Sequence, residues 1–304
     1  MPTQPGVFAL GTTDHGYLEF DLRPGTDARD VLVVAATLVD RLSTTSGVNA
    51  VVGVRPSLWA RIAPADDVPG GVTDWTDDIV GPDGFTMPAT QQDLWFWISA
   101  GDRTAVFDTG RSVIAELGDR VELVRETTGW LYMHDRDLTG FIDGTENPSQ
   151  LEAGDVVTLP DGRPGAGSTV VLHQLWAHDT ARWEAQGVDA QERAMGRTKA
   201  DSTEMDDDVK PASAHIARTV IEVDGEEQHI FRRNVAYGGI TDHGTVFVGF
   251  AWDQWRLTEM LRRMAGIPDG IRDELTRYTT PLTGAYYVVP SVAALARFAP
   301  PDED

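Results

Sequence analysis

Three stretches of the 304-residue chain place polar side chains in surroundings that suit a buried site. In the first, GFIDGTENPS, Asp143 follows Ile142 and precedes Gly144, with Glu146 and Asn147 just beyond. Asp-Gly and Asn-Pro are common turn dipeptides, so an ordinary polar turn is one interpretation. The other is a carboxylate held against a bound group, where it can take up and return a proton.

The second stretch, DDDVKPASAHIARTV, contains His215 between a charged loop and an apolar run. Pro211 and the small residues after it predict a helix start or a tight turn just ahead of the histidine. A lone histidine in such a place is more often structural than a metal ligand, so both roles stay open from this stretch alone. The seven histidines form no H-x-H or H-E-x-x-H arrangement, so the sequence does not predict a zinc site.

The third stretch is IFRRNVAYG, which reads as a strand. Arg232 and Asn234 then share one face, and Phe231, Arg233 and Val235 share the other. Two polar groups on one face of a segment that is apolar at Ile230, Phe231, Val235 and Tyr237 suit a cleft, although an ordinary sheet with one solvent face gives the same pattern.

The elements that must position these side chains repeat one order in each half of the chain. Periodicity predicts strands and helices in a strand-helix-strand-strand-helix-strand sequence, typical of a ferredoxin-like unit. In the first half, strands are predicted over 16–22, 49–56, 93–101 and 121–133, with helices over 25–47 and 104–118. In the second, strands are predicted over 168–179, 226–238, 244–253 and 283–291, with helices over 180–196 and 253–266.

We therefore predict an α+β fold of two ferredoxin-like domains, each an antiparallel sheet with packed helices. The predicted domains cover residues 1–135 and 136–304. Segment 134–167 carries the Asp143 motif near their junction, where ligand clefts often lie.

Composition excludes several function classes. The chain has 25 basic and 48 acidic residues, a net charge of -23, which disfavours binding to nucleic acid or to an anionic membrane. It has no cysteine, which excludes disulfides, thiolate metal sites and cysteine nucleophiles. With no signal-like N-terminus and no stretch long enough to span a bilayer, we expect a cytoplasmic protein.

Taken together, GFIDG, KPASAHIARTV and IFRRNVAYGG resemble the dye-decolourising peroxidase family, in particular its cysteine-free bacterial B-type branch. The first of them matches the G-x-x-D-G signature of that family. The likeness continues through QPGVFALG, GRTKADSTEMDDDVKPASAH and YTTPLTGAYYVVPS, so it covers nearly the whole chain. One such motif is a weak indication, but three in the right order and spacing are a strong one.

The resemblance implies one haem b per chain, held between the two domains within the C-terminal half. The implied activity reduces hydrogen peroxide and oxidises dyes, phenols or other small electron donors through a ferryl intermediate. By motif match, His215 corresponds to the proximal iron ligand, Asp143 to the distal aspartate, Arg232 to the distal arginine and Asn234 to a polar distal position. Burial and a nearby arginine act in opposite directions on a carboxylate, and we expect an acidic pH optimum.

Further roles follow from the same resemblance. Arg232 and Arg197 are expected to bind the haem propionates, although a solvated loop is an equal interpretation for Arg197. Asn147 is expected to line the haem edge. The ring nitrogen of the proximal histidine that faces away from the iron needs a partner. Asp273, Glu274 and a backbone carbonyl are all candidates.

An alternative function is haem or porphyrin handling on the same scaffold, meaning binding, decarboxylation or iron release. For the peroxidase, the expected partners are hydrogen peroxide and a small reductant, in a homo-oligomer without nucleic acid or membrane. The chain ends in RFAPPDED soon after its last predicted strand, with no evident extension for docking into an encapsulin shell. We therefore expect a free enzyme.

Overall fold

The computed structural model describes residues 1–45, 47–133 and 136–299. Its strands are β1 (Asp14–Leu22), β2 (Val48–Val54), β3 (Ile79–Val80), β4 (Thr86–Met87), β5 (Leu94–Ala100), β6 (Val121–Trp130), β7 (Thr169–His178), β8 (Glu222–Val223), β9 (Glu226–Glu227), β10 (Phe231–Arg232), β11 (Val235–Gly238), β12 (His243–Ala251), β13 (Thr279–Pro281) and β14 (Ala285–Val289). Its helices are α1 (Ala28–Thr45), α2 (Pro56–Ile62), α3 (Arg103–Leu117), α4 (Ala153–Val157), α5 (Thr180–Ala185), α6 (Val188–Met195), α7 (His215–Thr219), α8 (Gln254–Met264) and α9 (Val292–Ala296).

The main sheet contains the same strand arrangement twice. In the N-terminal half the order is β6-β1-β5-β2, and in the C-terminal half it is β11-β12-β7-β14. In each half, the first strand pairs with the third and fourth strands of that half, which is the ferredoxin-like order. The pairing is antiparallel throughout the described residues. The predicted fold class is confirmed.

The two halves join edge to edge, which strand order along the chain does not predict. β6 pairs with β11, and β2 pairs with β14, so the eight strands form a closed ring. Large aromatic side chains fill the inside of this ring, among them Tyr17, Trp95, Trp97 and Tyr287, each at most 1% exposed. Full burial of such a side chain contributes roughly 1.5–3 kcal/mol, so the ring is a packed core.

Helices cover the outer faces of both halves. Val31 and Leu38 of α1 and Val113 of α3 pack in one core with Phe96 of β5. On the C-terminal half, Leu257, Met260 and Leu261 of α8 pack against the strand residues Val170 and Leu172. Since α8 repeats its apolar residues at intervals of three and four, it presents one apolar stripe to the sheet.

Two sequence predictions in the C-terminal half are wrong in detail. The helix predicted over 180–196 is divided into α5 and α6 at Gly187, whose φ of +80° suits glycine and not a helix interior. The strand predicted over 226–238 is divided into β9, β10 and β11. The gap between β10 and β11 shapes the candidate site. The boundary predicted at 135/136 lies beside residues 134–135, outside the described ranges, and stays a prediction.

Candidate active site

The loop that carries Asp143 is a tight antiparallel turn. Arg136 forms a bridge with Ile142, and the N–H of Gly140 donates to the carbonyl of Asp137 at 3.0 Å. Gly140 has a φ of +86°, and a Cβ there would lie 2.7 Å from Cε of Lys199. The first glycine of G-x-x-D-G is therefore required by both backbone angle and space.

Asp143 and Asn234 are brought together by this turn and the gap between β10 and β11. Nδ2 of Asn234 donates to Oδ1 of Asp143 at 3.4 Å, while Oδ1 of Asn234 accepts from the N–H of Val248 at 3.1 Å. The asparagine therefore replaces part of the strand ladder with its side chain and directs its amide towards the carboxylate.

Arg232 is held from the same loop. Both polar atoms of the Asn147 side chain bind its peptide: Oδ1 accepts from its N–H and Nδ2 donates to its carbonyl, each at 2.9 Å. Nε of Arg232 is buried and has no hydrogen-bond partner within the described residues. A buried donor without a partner costs about 1–3 kcal/mol, so this guanidinium is available for a ligand.

His215 begins α7, so of the two predicted alternatives, a helix start or a tight turn, the structure has a helix start at this residue. Its Nδ1 lies 2.7 Å from Oδ2 of Asp273, a carboxylate that is 0% exposed. Glu274, the other carboxylate candidate, instead makes an ion pair with Arg277 at 3.1 Å. The contact with Asp273 leaves Nε2 of His215 as the nitrogen free to bind a metal.

One cavity joins these residues. Its empty volume, which includes space open to solvent, is about 1070 Å³. His215, Asp143, Arg232 and Asn234 all line it. Much of the remaining wall is apolar and comes from the turn, β12, α8 and the following loop: Phe141, Ile142, Phe247, Met260, Leu261 and Leu275. Asn147 lies outside this lining and borders an adjoining cavity.

Arg197 also lines the large cavity, and its role towards a ligand stays a prediction. Its guanidinium makes an ion pair with Glu146, lies 3.3 Å from a carboxylate oxygen of Glu204, and donates to the carbonyl of Ser202 at 2.7 Å. Arg197 is therefore already paired within the protein, whereas Arg232 keeps an unpaired donor.

Two titratable cavity residues were not singled out from the sequence. Burial raises the pKa of Asp137 to about 6, and the neighbouring charge of Asp143 adds to that effect. Burial and the nearby His243 lower the pKa of His178 to about 4, so this histidine is neutral near pH 7. The signal for Asp137 was its position six residues before Asp143 in the same turn; His178 gave none, because it ends an ordinary strand.

Two family models match the chain: Dyp-type peroxidase, N-terminal, over residues 20–131, and Dyp-type peroxidase, C-terminal, over residues 134–294. A dye-decolorizing peroxidase from Brevibacterium linens is 38% identical over 257 residues, which is 83% of this chain and 68% of that protein. The chain belongs to the Dyp-type peroxidase family. The predicted family and enzyme class, a peroxidase, are confirmed.

Solved structures of the family share the whole fold. The encapsulated DyP-type peroxidase from Mycobacterium smegmatis has a TM-score of 0.90 at 32% identity, covering 99% of both chains. A DypB variant from Rhodococcus jostii RHA1 in complex with heme has a TM-score of 0.85 at 32% identity, covering 93% of this chain and 95% of that one. These comparisons do not test the roles of individual residues in this chain.

Two predictions concern the surroundings of the protein. Within the described residues, none of the helices has the length and apolar character required to cross a bilayer. The predicted lack of a docking extension concerns the end of the chain, where residues 300–304 lie outside the described residues, and it stays a prediction.

Proposed function

We propose that this chain is a haem-dependent peroxidase whose large cavity holds one haem b. The observation that carries the proposal is that a single cavity joins His215, backed by buried Asp273, with Asp143, Asn234 and the unpaired Nε of Arg232. The apolar lining suits a porphyrin ring. The haem complex of the Rhodococcus jostii relative supports the choice of ligand.

His215 is the proposed iron ligand, through Nε2. Asp273 would fix its tautomer by accepting from Nδ1 and would make the ring a stronger electron donor to the metal. Bound haem supplies the redox-active iron that exchanges electrons with peroxide and with the reducing substrate. Helix α7 and the buried carboxylate of Asp273 keep the imidazole of His215 at a fixed angle.

Asp143 is the proposed proton carrier. Reduction of hydrogen peroxide requires one proton to leave one of its oxygens and a proton to join the other oxygen, which departs as water. Asp143, oriented by the amide of Asn234 at 3.4 Å, takes the first proton and returns it to the departing oxygen. In the complete reaction two phenolic donors each lose one electron and one proton, and peroxide becomes two waters.

Arg232 is proposed to stabilise the negative charge that develops as the O–O bond breaks. Its peptide is fixed by Asn147 on both sides, so the guanidinium needs little reorganisation when charge appears. It is also the stronger candidate for a propionate, because Arg197 already binds Glu146. Asn147 thus acts on the site through Arg232, and the sequence-based role at the haem edge stays a prediction.

The proposed substrates are hydrogen peroxide together with dyes, phenols or other small electron donors. Three further points stay predictions: that the protein is a homo-oligomer, that it is a free cytoplasmic enzyme, and that it belongs to the B-type branch. The acidic composition, with a net charge of -23, supports a partner list without nucleic acid or anionic membrane.

The test compares haem titrations of wild type, His215→Ala and His229→Ala, followed by addition of peroxide and a phenolic donor. His229 is 43% exposed and does not line the large cavity, which makes it a matched control. We expect stoichiometric binding and turnover in wild type and the control, and loss of both in His215→Ala. Equal binding by all three would refute the ligand assignment, and binding without turnover would favour haem handling.

A further inference from the structure

Asp137 is a second carboxylate beside Asp143. Both residues line the large cavity and also an adjoining cavity. That second cavity extends to Leu131, whose side chain is 41% exposed, so it reaches the protein surface. The two carboxylates therefore stand together where the interior meets a path to solvent.

The turn places the two carboxylates on the same face. With Arg136 bridged to Ile142, side chains alternate along both arms, so Asp137 and Asp143 are diagonal neighbours. Diagonal positions across an antiparallel pair are separated by roughly 7–8 Å, close enough for charges to interact. The N–H of Asp137 donates to the carbonyl of Phe141 at 3.0 Å, which fixes this register.

Asp137 has its own hydrogen-bond donors. The N–H of Thr139 donates to its Oδ1 at 2.8 Å, and the hydroxyl of Thr139 donates to the same oxygen. Burial raises the pKa of Asp137 to about 6, the charge of Asp143 adds to the rise, and the Thr139 donors oppose it. Asp137 therefore gains its negative charge near pH 6.

Other charged groups face the pair from the cavity walls. His215 of α7 favours the ionised form of Asp137, and Arg232 of β10 lines both cavities with the two carboxylates. His178 of β7 is neutral near pH 6, so it adds no charge there.

Two further cations lie near the turn, and Arg136, one of them, lines the adjoining cavity; both bind other partners. The guanidinium of Arg136 donates to the carbonyls of Gly140 and Lys199, at 2.7 and 2.9 Å. Nζ of Lys199 donates to Gln191 at 2.7 Å. Neither forms an ion pair with Asp137 within the described residues.

We propose that Asp137 sets the upper pH limit of peroxide reduction by controlling how tightly Asp143 holds its proton. This rests on the proposed function of Asp143. When Asp137 ionises, its negative charge strengthens the hold on any proton that Asp143 has taken from peroxide. Return of that proton to the departing oxygen then slows, and the rate falls as pH rises. Asp137 acts through Asp143 and is a positioning residue.

The experiment uses infrared spectroscopy to follow the carboxylic acid C=O band between pH 4 and 8, with and without haem. In wild type we expect one band to be lost near pH 6 and to be absent in Asp137→Asn. Asp143→Asn should move that titration to lower pH, because it removes the neighbouring charge. Thr139→Val should move it to higher pH, because it removes a donor to the ionised form.

The second readout is the pH profile of the reaction between haem-loaded protein and peroxide. Asp137→Asn should retain the rate at pH 5 and move the alkaline limb up by about one pH unit or more. Asp155→Asn, an exposed helix position outside both cavities, should match wild type. The proposal is overturned if the infrared titration of Asp137 is unchanged in Asp143→Asn. It is also overturned if the alkaline limb of the pH–rate profile is unchanged in Asp137→Asn. The infrared result in haem-free protein stands even if haem binding through His215 fails.

Discussion

The contact between His215 and Asp273 allows a sharp test of the proposed iron ligand. Asp273 is fully buried, with Oδ2 2.7 Å from Nδ1 of His215 and Oδ1 accepting from the N–H of Leu275 at 2.9 Å. Asp273→Asn keeps the size of the side chain and the oxygen that caps Leu275. It removes the charge and places an amide donor where the histidine needs an acceptor.

The expected magnitude follows from this geometry. A hydrogen bond to a charged group contributes about 1.5–3 kcal/mol, which corresponds to roughly 10- to 100-fold in an equilibrium constant. Loss of the partner behind a metal-bound histidine typically costs the same range, about 10–100-fold. We therefore expect Asp273→Asn to weaken haem binding by this factor. The Fe(III)/Fe(II) midpoint potential should rise, because a less basic imidazole stabilises Fe(III) less well.

Haem affinity is measured by titration at the Soret band, and the potential by spectroelectrochemistry. The matched control is Glu274→Gln in the next residue, which is 33% exposed and paired with Arg277 at the surface. Circular dichroism confirms that both variants fold. If Asp273→Asn and Glu274→Gln change affinity and potential equally, Asp273 does not act through the iron ligand and the reasoning is refuted.

Three further changes test how the site and its scaffold are held. Asn147→Ala removes both hydrogen bonds to the backbone of Arg232, so the peroxide reaction should slow about 10-fold in stopped-flow, with a smaller loss of haem affinity. An unchanged peroxide rate would contradict a role through Arg232. Gly140→Ala should lower the free energy of unfolding by about 1–3 kcal/mol in denaturant titration, whereas Gly154→Ala, with nothing within 4 Å, should not. Glu19→Gln breaks a buried contact with Arg125 at 2.7 Å and should cost about 3–5 kcal/mol. Burial opposes ionisation of Glu19, but His173 and Arg125 lower its pKa to about 2. The stability cost of Glu19→Gln should therefore be largest above pH 4.5 and shrink towards pH 2. A cost that does not change with pH would contradict this explanation.

Much of the fold could be predicted because both halves have strong local patterns. Period-two apolar runs placed β1, β2, β5, β6, β7, β12 and β14 with small errors at their ends, whereas the division of the strand over 226–238 and the short strands β3, β4, β8 and β13 were not predicted. Edge-to-edge closure could not be predicted, since β2 and β14 meet at a single register pair, Val54 with Val288. Such a contact depends on sheet curvature, which leaves no periodic signal.

The residues of the candidate site could be predicted where a sequence motif identifies them. They were harder to predict where the surrounding packing decides which side chain takes the role. His215, Asp143, Arg232, Asn234 and Arg197 all line the large cavity, whose lining comes from residues 137–279 and therefore from the predicted C-terminal domain alone. The choice of Asp273 over Glu274 required the structure, because neighbouring carboxylates in a turn point in different directions. The feature that distinguishes Asp273 from Glu274 is its complete burial, which depends on packing from distant parts of the chain.

Asp137 was missed for a related reason. Its titration depends on enclosure by the cavity and on the charge of Asp143, neither of which is visible in the sequence RDLTGF. Asn147 was predicted as a haem-edge residue, but its amide is committed to the peptide of Arg232. Side-chain direction in an irregular turn is the property that sequence patterns predict least well.

The central claim is that peroxide is reduced beside Asp143 and Arg232, and the most direct test is the rate of the first peroxide reaction in stopped-flow. Arg232→Leu is compared with Arg233→Leu. The adjacent Arg233 guanidinium lies over the ring of Trp97 at 5.4 Å and donates to the hydroxyl of Thr12 at 3.3 Å; it borders the adjoining cavity and not the large one. We predict a fall of about 10²–10³ for Arg232→Leu in folded, haem-loaded protein, and less than about threefold for Arg233→Leu. Equal rates for wild type and Arg232→Leu would contradict the account.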